Sequence, residues 1–141
     1  MQTLPAKSWN ANVDSSKKYL SRMLTYELST QLNSKEFDVL YESPLSKMAH
    51  DETDVVVFDK RRGWSSVMAI EICKSNEIDD MMIIARDLMQ KYSLLDFFLL
   101  DQDADVWYNI KKSLSGYDIT SNTFFMGVDL NKLYEKNLMM I

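Results

Sequence analysis

The sequence predicts a mixed α/β fold, in which a sheet carries helices packed on it. Three observations point there. "DVVVFD" is a run of strong β-formers, and Met68, Ile70 and Ile72 alternate with Ala69, Glu71 and Cys73, the period of a strand. Ile78, Met81, Met82, Ala85, Leu88, Met89 and Tyr92 follow the period of a helix, with Asp79, Asp87 and Lys91 on its other side. The short, continuously apolar "DFFLLD" then reads as a buried strand. A strand–helix–strand step from Ile72 to Phe97 implies a right-handed crossover between parallel strands.

The remaining elements fall in order around that step. The first dozen residues, with Pro5, read as a loose arm (1–12) ahead of a helix starting near Asp14 or Ser15, either of which can cap it. Leu20, Met23, Leu24, Leu28 and Leu32 carry that helix to Asn33 and Ser34. "FDVLYE" is a strand with Phe37, Val39 and Tyr41 on one face, ended by Pro44. "KRRGW" turns the second strand into the third. After Asp101 the "DQDAD" turn leads to "VWYNI", a partner strand. Beyond Gly116 the pattern weakens until "VDLNKLYEKNLMM", which suggests a closing helix capped by Asp129.

Length and composition limit the function classes. At 141 residues the chain is most simply one domain, 1–141, with enough apolar content at 46% to build a core. No apolar run approaches the roughly 18 residues that span a bilayer, and the N-terminus lacks the apolar stretch of an export signal. A single cysteine, Cys73, offers no disulfide framework, and together these features suggest a cytoplasmic protein. The net charge of -5 argues against high-affinity, non-specific binding to nucleic acid, although it leaves room for a local basic groove. With three glycines there is no phosphate-cradling loop, and neither CxxC nor G-x-S-x-G occurs. "DQDAD" has EF-hand-like spacing, but Val106 and Lys112 replace the required glycine and glutamate, which excludes that calcium loop.

Glu71 raises the functional question. It stands inside a two-sided apolar strand, where an unpaired charge is costly. Asp54 opens the preceding strand. Adjacent strands could bring both carboxylates to one sheet edge, where they would suit a hard cation such as Mg²⁺. On spacing alone, Asp54 could equally just start a strand while Glu71 pairs with a lysine. His50, among acids in "HDETD", reads as part of a solvated turn.

The middle of the chain resembles the PD-(D/E)XK nucleases, and more narrowly the Uma2 family of restriction-endonuclease-like proteins. That family carries a "PDVVV"-like strand, a "VEV"-like strand, a helix with charges and a tyrosine, and "EYWLVD". The matching stretches here are "TDVVV" (Thr53 to Val57), "IEICKS" (Ile70 to Ser75), "RDLMQKY" (Arg86 to Tyr92) and "DFFLLD" (Asp96 to Asp101), so the likeness covers about residues 50–110. It implies a restriction-endonuclease-like α-β-β-β-α-β core, with a mixed sheet flanked by helices. It also implies a hydrolase: an endonuclease cutting nucleic acid, in the first instance DNA, with Asp54 and Glu71 holding Mg²⁺ or Mn²⁺. A first-helix carboxylate, Glu27, can reach the metal in that fold. As a boundary residue, Glu27 could instead simply snorkel to water.

Two departures bear on catalysis. Thr53 replaces the family's proline, and the lysine of a strict E-x-K motif would fall at Cys73. Lysine comes one place later, at Lys74, whose side chain in a regular strand would point to the opposite face from Glu71. A bulge, or a strand ending at Cys73, would be needed to bring it round. Lys91 on the following helix is the other source of an ammonium. Each of these lysines also has a plain reading as a solvated surface residue. The same scaffold without a working lysine would be a non-catalytic binding or assembly protein. A domain of this size commonly acts as a homodimer or beside a larger partner.

Overall fold

A computed structural model describes residues 5–46, 51–104 and 106–123, and only the backbone of 5–16, 122 and 123. Helix α1 (Pro5–Gln31) precedes strands β1 (Phe37–Pro44), β2 (Glu52–Asp59) and β3 (Ser65–Cys73). Helix α2 (Ile78–Tyr92), then β4 (Asp96–Asp101), β5 (Val106–Ser113) and β6 (Gly116–Thr123) complete the described chain. The six strands lie in sequence order in one sheet. Every neighbouring pair is antiparallel except β3 and β4, the pair joined through α2. This is the mixed sheet with flanking helices that the sequence predicts, and Glu71 lies on a central strand.

Alternation along the central strands divides the core in two. Val55, Val57, Ile70, Ile72, Phe98 and Leu100 bury one face against Leu24 and Leu28 of α1 and Leu32 just beyond it. Val56, Ala69, Cys73, Phe97 and Leu99 bury the other against Ala85 and Met89 of α2, with Met82 partly buried beside them. The helical period from Ile78 to Tyr92 thus becomes the packing face expected of it. From Met68 to Cys73 on β3, parity decides the layer: Met68, Ile70 and Ile72 take the α1 side, Ala69 and Cys73 the α2 side.

Several local expectations change. α1 begins at Pro5 rather than at Asp14 or Ser15, so the segment read as a loose arm is helical from that point. Proline suits a first turn, because its missing N–H would have no intrahelical partner there. β1 does end at Pro44, whose pairing with Glu52 is the last of the ladder, a place an edge strand tolerates. Tyr41 does not share the buried face of Phe37 and Val39. It is exposed, with the Arg22 guanidinium 5.4 Å from its ring centre, and Glu42 beyond it takes a φ of 50° that breaks the alternation. Gly116 opens a sixth strand, "GYDITSNT", which the weak pattern after position 116 had hidden. The closing helix at Asp129 and the turn at His50 lie outside the described residues.

Candidate metal centre

Two antiparallel neighbours build the site. Asp54 comes near the start of β2 and Glu71 near the end of β3, so the hairpin brings both to the same end of the sheet. Asp54 shares its parity with Val56 and Phe58, and Glu71 shares its parity with Ala69 and Cys73. Both carboxylates therefore take the α2 side of the sheet. The backbone N–H of Ile72 donates to Asp54 Oδ2 at 2.7 Å, tying the aspartate across to β3.

A cation stands between them. Lys17 Nζ lies 3.4 Å from Asp54 Oδ2 and 3.5 Å from Glu71 Oε1. The carboxylate side chains are only 13% and 15% exposed, so little solvent screens the triad. Lys17 belongs to α1, the helix on the opposite face, and its long side chain reaches the ends of β2 and β3. A row of small residues explains the approach. Ser21 and Thr25 are buried beneath α1, and each returns its hydroxyl proton to a carbonyl four residues earlier, Ser21 to that of Lys17. Hydroxyls satisfied within the helix need no partner from the sheet.

Burial, reinforced by the adjacent Asp54, pushes the Glu71 carboxyl up to about 9, against the opposing pull of Lys17. Burial alone would lower Lys17, but the charges of Asp54 and Glu71 outweigh it and raise the ammonium above its usual range. Held up in this way, the Glu71 carboxyl keeps its proton near neutrality.

That titration makes a prediction about stability. The Glu71 carboxyl holds its proton more tightly folded, at about 9, than at its ordinary 4.5. The folded state therefore binds more protons in that window, and this contribution to stability is lost as pH rises from about 4.5 through about 9. Glu71→Gln keeps the shape and cannot ionise. Metal-free Glu71→Gln should exceed the wild type at pH 8 by about 2 kcal/mol, after discounting for water access, and the gap should close at pH 4.5. Urea unfolding at the two pH values measures it, and a gap that is flat with pH would refute it.

Among the described residues, neither Lys74 nor Lys91 makes an ion pair with Asp54 or Glu71. β3 ends at Cys73, and Lys74 is exposed at the start of the turn Ser75–Glu77, its N–H donating to Glu77 Oε1. Lys91 Nζ is 2.8 Å from Asp51 Oδ2, which also accepts from the Tyr92 hydroxyl at 2.7 Å. Among the described residues Lys17 is the one ammonium within ion-pair distance of either carboxylate. Glu27 lies about 15 Å further along α1 than Lys17, well beyond the reach of a glutamate side chain. Cys73 does stand on Glu71's face, buried, with its Sγ 3.7 Å from the Glu71 carbonyl oxygen. Burial and the nearby Glu71 charge push its thiol up to about 12.

Lys17 is the residue that sequence reasoning passed over. Its signal was present: it precedes Leu20, Leu24 and Leu28 by three, seven and eleven positions, on the buried stripe of the helix.

Asp101 and Asp103 build the neighbouring loop. Ser75 Oγ donates to both Asp101 oxygens at 2.7 and 2.8 Å, and the N–H groups of Asp103 and Ala104 donate to Asp101 Oδ1. Ser75 N–H donates to Asp103 Oδ2. These acids fasten the segment after Cys73 to the end of β4 rather than forming an ion site.

The donor set suits a hard cation. Two carboxylates meet without imidazole or thiolate, and Mg²⁺ takes one or two such ligands, with water and phosphate completing its shell. Among the described residues no third acidic, histidine or cysteine ligand joins the pair. A cavity of about 840 Å³ lies apart, against Leu40, Leu45, Phe58, Trp64 and Tyr92, towards the hairpin end of β2 and β3.

This architecture has a counterpart. A protein from Anabaena variabilis ATCC 29413, described as "a putative nuclease belonging to DUF820", superposes with a TM-score of 0.56 at 11% sequence identity. The match covers 71% of this chain and 64% of that one, so the chain spans just under two thirds of the other's length. At that identity the likeness establishes a nuclease-like fold. No family model matches the sequence, and no curated protein matches it. Among the described residues no helix is long and apolar enough to cross a membrane.

Proposed function

We propose that the chain is a metal-dependent endonuclease of the PD-(D/E)XK type, hydrolysing phosphodiester bonds in nucleic acid, with DNA the first substrate to try. The observation that carries this reading is the meeting of Asp54 and Glu71 at one end of adjacent strands, on one face, with Asp54 fixed by Ile72 N–H. Asp54 and Glu71 would hold Mg²⁺ or Mn²⁺. The ion would supply an acidified water and offset charge on the phosphorus in the transition state.

The chain's own part is to hold two carboxylates in a nearly dry setting and to orient one of them from the backbone. In hydrolysis the water oxygen bonds to phosphorus, the bond to the leaving sugar oxygen breaks, and that oxygen takes a proton. Lys74 and Lys91 are candidates to steady the water, but Lys91 would first have to leave Asp51. The fold likeness to a protein described as "a putative nuclease" adds support.

Relaxation of supercoiled plasmid by purified protein in Mn²⁺ tests the reading. Slow nicking that chelator abolishes is expected.

One observation favours a second reading, a non-catalytic binding or assembly protein. Cys73 stands where the strict motif places lysine, and Lys17 already neutralises the acids. Cys73→Lys separates the two. In a nuclease slowed because cysteine occupies the lysine position of the strict motif, the substitution should raise the nicking rate about tenfold or more. A retired scaffold should stay silent in both forms.

A further inference from the structure

We propose that Lys17 is an internal counter-cation of the carboxylate pair, which a divalent ion must displace in order to bind. This rests on the metal-site reading above and adds a residue that competes for the site. The geometry is specific. One Nζ stands 3.4 and 3.5 Å from oxygens of two different carboxylates, the place a bridging ion would take. Mg²⁺ binds carboxylate oxygen at about 2.0–2.1 Å, so it cannot share that place with an ammonium. Repulsion between the two cations in a poorly screened setting adds to the exclusion.

Lys17 is also built to move. Its side chain is 40% exposed, against 13% and 15% for the acids, so solvent can receive the displaced ammonium while the carboxylates stay in place. Its helix is held by Leu24, Leu28 and Leu32, well away from the charged end. A displaced Lys17 therefore need not disturb the packing of α1. The competing cation is a property of the chain, present before any metal arrives, and it sets a threshold concentration for loading.

Mn²⁺ binding to wild type, Lys17→Met and Lys17→Arg, measured by calorimetry at one pH, tests this. Methionine keeps the length of the stem and removes the charge, so Lys17→Met should bind Mn²⁺ about tenfold tighter or more. Lys17→Arg retains a cation and should bind no tighter than wild type. An affinity in Lys17→Met equal to or weaker than wild type overturns the proposal while the metal site stands.

A second measurement needs no substitution. Acylation of lysine amines, read by mass spectrometry, should label Lys17 several-fold faster as Mn²⁺ is added, with exposed Lys18 as the internal reference. Unchanged labelling of Lys17 at saturating Mn²⁺ would likewise overturn it. Absence of Mn²⁺ binding in every variant removes the metal-site reading itself, and the proposal with it.

Discussion

Replacing Glu71 by glutamine is expected to cut Mn²⁺-dependent nicking by about a hundredfold or more, while leaving the protein folded and, above neutral pH, more stable. The loss follows from the ligand count. Among the described residues only two side-chain carboxylates converge, and the amide removes the charge of one of them. Altering residues that merely support metal ligands typically costs 10- to 100-fold in affinity or activity, so removing a ligand from a set of two should cost at least the upper end of that range.

The gain in stability follows from the same burial that pushes the Glu71 carboxyl up to about 9. A general unfolding effect would lower both quantities together. Opposite signs in one variant, activity down and urea midpoint up at pH 8, identify a residue whose charge costs the fold and serves the site. Plasmid nicking and urea titration on the same preparation supply both numbers. Nicking that persists unchanged in Glu71→Gln would assign the activity to another site or to a contaminant.

The parts legible in the sequence are those governed by period. The alternation of Met68, Ile70 and Ile72 with their neighbours and the i, i+3, i+4 stripe of α2 are local, and tertiary packing reinforces rather than overrides them. The pairing of Asp54 with Glu71 was legible for the same reason, because a tight hairpin between two strong strands fixes which ends meet.

What stayed hidden depends on distant contacts. β6 is exposed along most of its length and polar, so its residues carry no burial pattern. Its register is set by pairing with β5 through Ile110 and Ile119, among others. Lys17 was hidden because the expected helix began at Asp14 or Ser15, which would put it in a first turn where a lysine reads as solvated. Only the observed run from Pro5 makes it an interior residue of a helix whose next turns are buried. Lys91 misled in the opposite direction: the family pattern offers it to the acids, whereas Asp51 and the ring of Tyr92 hold it.

Truncation of Phe97 to alanine should be the costliest single change within the α2 layer. Phe97 is fully buried on β4, paired in register with Ala69 of β3, and belongs to the same cluster as Ala85, Met89 and Leu94. Its register partner is the small Ala69, and the close-packed layer around it relaxes only in part when the ring is removed. Phe→Ala at such positions costs about 3–5 kcal/mol, as lost transfer energy plus an unrelaxed cavity. Against a typical total of roughly 5–15 kcal/mol, the urea midpoint should fall steeply while the slope of the transition stays unchanged.

The matched control is Ile83→Ala on α2, where the side chain is 57% exposed and a change within about 0.5 kcal/mol is expected. Equal costs at the two positions would mean that α2 does not cover β4. The site would feel a genuine cavity too, because Ala69, opposite Phe97, precedes Glu71 by two positions on the same face of β3. Phe97→Ala should therefore weaken Mn²⁺ binding even when enough protein remains folded to measure it. The carboxylate on β3 depends on the strand beneath it being held in place.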